Sequence, residues 1–192
     1  MIERADGGDE AALAAILAPA VATRCRAVRV WPQRAVRAES SCRSAAEAAA
    51  LVGVPVERIG KSLVFLAERE ERAERAFVVV AHGGARVPLE PLETLMKASV
   101  RPARAKEVRK ITGYEVGAVP PFGHARLLPV YIDRVLLAHR LFWVSAGDAR
   151  TMMEMTPRSL QLLTAGRPIV LHEKENPTGR ESAAGSGKKD GK

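Results

Sequence analysis

Cysteine and aromatic residues are scarce in this 192-residue chain, and long apolar runs do not occur. Its two cysteines, Cys25 and Cys42, are not spaced like the ligands of a structural metal site, and no further ligands stand near them. No apolar run approaches the roughly 20 residues that a membrane-spanning helix needs. The acidic, glycine-containing N-terminus does not have the pattern of a secretory signal peptide. We therefore expect a cytoplasmic protein with reduced thiols and with no metal or other cofactor.

Basic residues outnumber acidic ones. Thirty lysines and arginines against 22 acids give a formal net charge of +8, which favours a polyanionic partner such as nucleic acid. An arginine-rich composition can also reflect the base content of a genome, so this inference stays open. The length suits one sizeable core, and we expect a single domain over residues 1–172. Residues 173–192 contain almost nothing to bury, and we expect a disordered C-terminal tail there.

Local patterns predict an α+β protein. Ser44 and Glu47 form a capping box, and Gly53 stands where the helix that they begin would end. Alternating charged and apolar residues predict an edge strand over 26–31, whereas 32–41 has no convincing period. Further strands are predicted over 59–66, 76–81, 126–133, 141–147 and 168–171, and further helices over 10–17, 88–98, 103–111 and 158–164. Hairpins mixed with separated helices are typical of the α+β class.

Residues 113–124 are the most unusual stretch of the sequence. They contain three glycines and two adjacent prolines between a helical pattern and a strand pattern. Glycine permits positive φ and the close approach of another group, and proline fixes φ. Tyr114, Phe122 and His124 are interspersed, so the stretch suits a rigid loop that holds a ligand. A connector that only turns the chain is an equally open interpretation of this stretch alone.

Lys61 favours the ligand-binding interpretation. It lies in the predicted strand over 59–66, on the same face as Leu63 and Phe65. An ammonium group on an apolar face is costly unless it is paired or faces a polar cavity. The alternative is that the long side chain reaches solvent from the start of the strand. Because the strand has a buried pattern on both faces, we favour a functional lysine.

Basic residues also cluster around the two predicted helices that precede the loop. They are Lys97, Arg101, Arg104, Lys106, Arg109 and Lys110. Such a cluster is usually a solvated face, but it could also hold an RNA backbone. If it does, we expect Lys106, Arg109 and Lys110 to make the contacts.

Short motifs follow one another in order from about Ser44 to Val170. They are Ala46-Glu47-Ala48-Ala49 before Val54-Pro55, Lys61-Ser62-Leu63, Thr112-Gly113-Tyr114, Gly117-Ala118-Val119-Pro120-Pro121, Leu128-Pro129 with Ile132-Asp133, and Ser145-Ala146-Gly147. Together they make the chain resemble the YbaK/prolyl-tRNA-synthetase-associated domain family, whose single-domain members deacylate mischarged tRNA in trans. The resemblance implies a mixed β-barrel core of about six to seven strands surrounded by helices. It also implies an essential lysine at Lys61 and a substrate-facing G-x-x-x-P loop from Gly117 to Pro121.

The implied reaction is hydrolysis of the ester that joins an amino acid to the terminal ribose of tRNA. The sequence has no convincing nucleophile–base–acid set, but this ester is already activated, so positioning and electrostatics can suffice. Backbone N–H groups near Gly117 would stabilise the developing oxyanion. Lys61 would hold the terminal phosphate or the adenosine hydroxyl groups, and the vicinal hydroxyl of the substrate would help to position water.

Further residues are expected to contact the substrate. They are Ser62, Ala118, Pro121, His124, Asp133, Ser145 and Gly147. A structural role is an open alternative for several of them. The two serines can be ordinary strand hydroxyls, His124 can be a hydrogen-bonding loop residue, and Asp133 can pair with a nearby arginine.

Two departures from the family pattern bear on specificity. Met152 stands where the YbaK proteins proper carry an acidic residue, and Pro88 replaces an aspartate that many relatives carry. A cysteine-specific pocket is therefore in doubt, and alanine, serine or threonine fits at least as well. We expect an aminoacyl-tRNA hydrolase that acts on mischarged proline tRNA, with an aminoacyl-tRNA synthetase as a further partner. The alternatives are a non-catalytic member that binds tRNA or a synthetase, and a generic basic nucleic-acid-binding protein.

Overall fold

The computed structural model describes residues 2–42, 44–69, 72–84 and 86–171. The strands in this part are β1 (Glu3–Asp6), β2 (Arg34–Arg37), β3 (Ile59–Arg69), β4 (Arg72–His82), β5 (Ser99–Pro102), β6 (Val130–Asp133), β7 (Phe142–Ser145), β8 (Thr151–Met155) and β9 (Arg167–Ile169). The helices are α1 (Glu10–Ile16), α2 (Pro19–Val28), α3 (Ala45–Val52), α4 (Glu90–Met96), α5 (Ala105–Thr112), α6 (Arg134–Leu137) and α7 (Pro157–Thr164), with a 3-10 turn at Val56–Arg58. The predicted α+β class is confirmed.

All the strands join one mixed sheet. Its pairing path runs β1-β2-β8-β7-β3-β4-β6-β9, and β5 pairs with β3 beside this path. The β3–β4 hairpin is antiparallel, whereas the β3–β7, β4–β6 and β6–β9 pairs are parallel. Within the described residues the sheet has nine strands, where the family resemblance led us to expect a core of about six to seven, and β1 and β9 are the two ends of its path.

Helix starts that carry a capping residue were predicted well. The side chain of Asp9 accepts from Ala12 N at 2.9 Å to begin α1, and that of Ser44 accepts from Glu47 N at 3.2 Å to begin α3. These bonds satisfy backbone donors that the first turn of a helix leaves unpaired. Gly53 ends α3 in the left-handed conformation, as predicted.

The strand predicted over 26–31 is wrong. Helix α2 runs from Pro19 to Val28 and buries Val21, Ala22 and Cys25 on one side. The segment 34–37, for which no period was apparent, forms β2 and pairs with both β1 and β8. The short strands β1, β5 and β8 and the short helix α6 were also not predicted. The expected tail over 173–192 lies outside the described residues.

The core has three parts, and two of them lie on opposite faces of the sheet because the side chains of β3 and β4 alternate between its faces. One face, which includes Val64 and Val80, packs against α1, α2 and α7. The other face, which includes Phe65, packs against Leu92 of α4. Helix α3 covers a third cluster over β7 and β8. Among the described residues, no helix is both long and apolar enough to cross a membrane.

Candidate active site

The candidate site is a cavity at an opening in the sheet. On one edge β3 pairs with β4 from Gly60 onward. On its other edge it pairs with β7 only at Ile59 and Gly60, and with β5 only from Phe65 to Glu68. Residues 61–64 of β3 therefore have no paired strand on that edge within the described part of the chain. A cavity of about 600 Å³ opens beside them, a size typical of small-ligand sites.

The walls of the cavity are mainly apolar, and each of the three core clusters contributes to them. The apolar lining includes Ala45, Ala48, Ile59, Leu63, Val64, Phe65, Val87, Leu89, Val108, Val116, Val119 and Met152. The polar side chains on the lining are Cys42, Ser44, Lys61, Ser62, Ser145 and Asp148. A few convergent polar groups in an apolar pocket are the usual composition of a site that binds an organic ligand.

Lys61 lies on this lining near the start of β3. Its Nζ donates a hydrogen bond to Gly83 O at 3.2 Å, and its side chain is partly buried. Burial lowers the pKa of Lys61 below its ordinary value, because removal from water disfavours the charged form. The structure therefore places a partly desolvated lysine on the lining of the cavity.

Gly117 reaches the same cavity from the loop that follows α5. Ala118 N donates to Glu115 O at 3.0 Å and closes a turn in which Gly117 is the third residue, with a φ of +88°. A type II turn requires positive φ at this position, which explains glycine. A Cβ built on Gly117 has no heavy atom within 4 Å. The space above its α-carbon is therefore open.

Ser145 fixes this loop to the end of β7. Its Oγ donates to Ala118 O at 2.9 Å and accepts from Gly147 N at 3.2 Å. The hydroxyl lines the cavity but is already used to hold the loop. Ala118 itself is buried and offers its carbonyl to this contact.

His124 supports the loop from a position outside the cavity lining. Its Nε2 lies 2.7 Å from Pro120 O, so this nitrogen carries the proton and donates. The ring packs edge-on against Tyr114, whose hydroxyl donates to Gly123 O at 2.9 Å. Burial lowers the pKa of His124, although the bond to Pro120 opposes this shift. The two side chains together brace residues 120–123.

Four other predicted contact residues also lie off the lining, namely Ala118, Pro121, Asp133 and Gly147. Pro121 is buried within the loop. Asp133 is 1% exposed at the end of β6 and accepts from Val135 N at 3.0 Å to begin α6. Gly147 has a φ of +103°, and a Cβ there would lie 2.5 Å from the Cβ of Ala18, so its role in the structure is close packing.

The three predicted nucleic-acid contacts share the exposed side of α5. Lys106, Arg109 and Lys110 are all exposed, while Val108 of the same helix is buried and lines the cavity. Arg109 forms an exposed ion pair with Glu115. The basic face and the cavity therefore lie on opposite sides of one short helix.

Asp148 lines the cavity and was missed by the sequence analysis. Its Oδ1 accepts from Arg150 N at 2.7 Å, and its Oδ2 accepts from Thr151 Oγ1 at 2.8 Å. Arg37 Nη2 lies 3.9 Å from the same Oδ2. The carboxylate stabilises the turn between β7 and β8 and puts negative charge on the cavity wall. The available signal was its position directly after the Ser145-Ala146-Gly147 motif.

The class of protein follows from a match over residues 39–163 to the family model of the aminoacyl-tRNA editing domain. This match covers more than half of the chain, and the chain belongs to that family. The resemblance inferred from the ordered motifs is confirmed.

Individual relatives agree with this classification. The chain is similar to the uncharacterized protein YwhH of Bacillus subtilis (strain 168), with 31% identity over 122 residues that cover 64% of this chain and 75% of YwhH. It is also similar to the solved structure of a candidate trans-editing enzyme for prolyl tRNA synthetase, with a TM-score of 0.69 and 33% identity over 82% of this chain and 99% of that one. A third similar structure is that of the hypothetical protein APE2540, with a TM-score of 0.70 and 30% identity over 78% and 98% of the two chains.

Proposed function

We propose that this protein is an aminoacyl-tRNA deacylase that hydrolyses the ester of mischarged tRNA in trans. Its substrate is proline tRNA that carries a small amino acid such as alanine, cysteine, serine or threonine. Membership of the editing-domain family supports the reaction, and the similarity to a candidate trans-editing enzyme for prolyl tRNA synthetase supports the tRNA. The observation that carries the proposal is that Lys61 and Gly117, which are distant in sequence, line one cavity.

The proposed chemistry relies on positioning rather than on a side-chain nucleophile. Water attacks the ester carbonyl, negative charge develops on its oxygen, and the bond to the ribose oxygen then breaks with transfer of a proton to that oxygen. Backbone N–H groups of the Gly117 turn stabilise the developing charge, because glycine lets the ester approach closely. Lys61 holds the terminal phosphate or the ribose hydroxyl groups, and the free vicinal hydroxyl positions the water.

Although Asp148 puts a carboxylate on the lining, the part of the cavity around Met152 suits a small, uncharged side chain. Met152, Ala45 and Ala48 form an apolar wall where an acidic residue would favour a polar substrate. A flexible methionine adapts to side chains that differ by one methyl group, so we expect limited discrimination among alanine, serine and threonine. Differences of this kind change binding by only about 1–3 kcal/mol.

The body of the tRNA would contact the exposed side of α5. Lys106, Arg109 and Lys110 present positive charge on the side of α5 opposite Val108, which lines the cavity. Contacts of this kind position a nucleic acid without reading its sequence. Choice of tRNA would then require other contacts or a partner synthetase.

A panel of mischarged tRNAs tests the proposal. We expect the purified protein to release alanine, serine, threonine or cysteine from proline tRNA, and to leave correctly charged prolyl-tRNA intact. Binding of these tRNAs without hydrolysis of any of them would instead support a non-catalytic member of the family. Hydrolysis with equal efficiency on unrelated tRNAs would retain the reaction but contradict the assignment to proline tRNA.

A further inference from the structure

The main chain of Ser62 faces the cavity. Val64 lies two residues further along β3, so its main-chain groups have the same orientation as those of Ser62. Its C=O accepts a hydrogen bond from Ala103 N at 2.9 Å on the edge of β3 that faces away from β4. Val78 stands opposite Val64 in β4, and its N–H donates away from β3, to Pro129 O at 2.9 Å. Val64 and Val78 therefore do not bond to each other. Alternate residues of a strand direct their N–H and C=O groups to the same edge. The N–H and C=O of Ser62 are therefore directed to the edge where the cavity opens.

Neither neighbouring strand reaches Ser62 on that edge. The pairing with β7 ends at Gly60, and the pairing with β5 begins at Phe65. The hydroxyl of Ser62 is also buried without a hydrogen-bond partner in the described structure. Main-chain donors and acceptors in folded proteins are almost always paired with protein or with water, so those of Ser62 are available to water or to a ligand in the cavity. Lys61 and Leu63, by contrast, direct their main-chain groups towards β4.

We propose that Ser62 pairs with the aminoacyl group of the substrate as one strand residue pairs with another. Ser62 N–H donates to the ester carbonyl oxygen, and Ser62 C=O accepts from the α-ammonium group. This inference rests on the proposed deacylase function. It adds a main-chain donor at the carbonyl where negative charge develops, in addition to those of the Gly117 turn.

The geometry of an amino acid favours this occupant. An aminoacyl ester has an amine and a carbonyl on either side of one α-carbon, like a residue within a strand. In an antiparallel ladder, two residues of this kind exchange both of their N–H···O bonds. The opening at residues 61–64 is too short for a further strand but long enough for one residue. The bond from the ammonium group would be charge-assisted and therefore strong.

Hydrogen exchange of the free protein tests the structural premise. The amide of Ser62 should exchange at least about tenfold faster than those of Lys61 and Leu63, which are bonded within the hairpin. Equal protection of the three amides would overturn the proposal, because the Ser62 N–H would then already have a partner.

Titration with 3′-deoxy-3′-alanylamino-adenosine, an amide mimic of the charged tRNA end, tests the pairing itself by nuclear magnetic resonance. The amide of Ser62 should move downfield by more than those of Lys61 and Leu63, and its exchange should slow by at least about tenfold. Adenosine alone is the matched control and should leave the chemical shift and the exchange rate of the Ser62 amide unchanged. An equal response to adenosine would assign the opening to the base and overturn the proposal, as would no response of Ser62 to the mimic.

The deacylation assay separates this inference from the proposed function. If mischarged tRNA is hydrolysed while the Ser62 amide does not respond to the mimic, the pairing is wrong and the deacylase function stands. If no mischarged tRNA is hydrolysed, the deacylase function is wrong and the inference fails with it.

Discussion

Substitution of Gly117 by alanine separates a catalytic loop from a simple turn. The residue has a φ of +88°, and an added Cβ would meet no heavy atom within 4 Å. The new methyl group would therefore not clash with the protein. It would enter the open space where the scissile ester is proposed to bind.

The expected magnitudes differ for stability and for rate. A non-glycine residue in the left-handed region costs about 1–2 kcal/mol, which lowers the melting temperature of a domain of this size by about 2–8 °C. Displacement of an oxyanion donor lowers the rate by a factor on the order of 10²–10³. The loss of rate should thus be far larger than the loss of stability can explain.

A matched control is available at Gly53. This glycine has a φ of +69°, and a Cβ on it also meets nothing within 4 Å, but it lies at the end of α3 and is not part of the cavity lining. Gly53→Ala should therefore cost about the same stability. Single-turnover deacylation at saturating enzyme, below the melting temperature of both variants, compares the two rates directly.

Either of two results would refute this reasoning. A normal rate for Gly117→Ala would mean that the loop only turns the chain, and the non-catalytic alternative would then be preferred. An equal loss of rate in Gly53→Ala would mean that backbone strain, rather than the cavity, limits activity.

Three further predictions concern tRNA affinity, pH and packing. Replacing Lys106 and Lys110 with glutamine should weaken tRNA binding and reduce the slope of log affinity against log salt by about 1 per residue, with the rate at saturating enzyme unchanged. Burial lowers the pKa of His124 below its ordinary value of 6.5. As the pH falls, His124 is therefore protonated at a higher pH in the unfolded chain than in the folded protein. Stability should therefore fall as pH drops below about 6.5, and His124→Gln should remove this part of the pH dependence in thermal melts. Gly147→Ala should lower the free energy of unfolding by about 2–5 kcal/mol in denaturant titrations, because its Cβ would lie 2.5 Å from that of Ala18 at a φ of +103°.

Elements with strong local signals were predictable from the sequence. The signals for both ends of helix α3 lie in its own local sequence. Ser44 caps the first turn, and Gly53 takes the left-handed conformation after the last turn. Lys61 on an apolar strand and the glycine–proline stretch were likewise visible as candidates for one site. Each of these signals depends on a few residues that are close in sequence.

Elements defined by tertiary contacts were not predictable in the same way. Helix α2 was mistaken for a strand because charged and apolar residues alternate over its last turn, although Val21, Cys25 and Val28 have a helical spacing. Strand β8 is buried at every position and contains Glu154, whose carboxylate is held by Arg34 from β2 at 2.8 Å and 2.9 Å. A buried acid is tolerable only with such a partner, and the partner lies 120 positions away.

The opening beside β3 is also a property of the sheet rather than of any segment. It exists because β7 and β5 pair with opposite ends of one long strand. Neither the pairing partners nor their registers can be read from the residues around Lys61. For the same reason, the sequence identified Ser62 as a candidate contact but gave no indication that its main chain faces the cavity.

The most direct measurement of the central claim uses proline tRNA that is mischarged with alanine. Its single-turnover hydrolysis is compared between the wild-type protein and Lys61→Ala. The substitution removes the Lys61 amine and its bond to Gly83 O, and it also relieves the desolvation that lowers the pKa of Lys61. The free energy of unfolding should therefore change by less than about 1 kcal/mol. We expect the wild-type protein to release alanine and the variant to lose this activity with its melting temperature nearly unchanged. Hydrolysis at the wild-type rate by a folded Lys61→Ala protein would contradict the account.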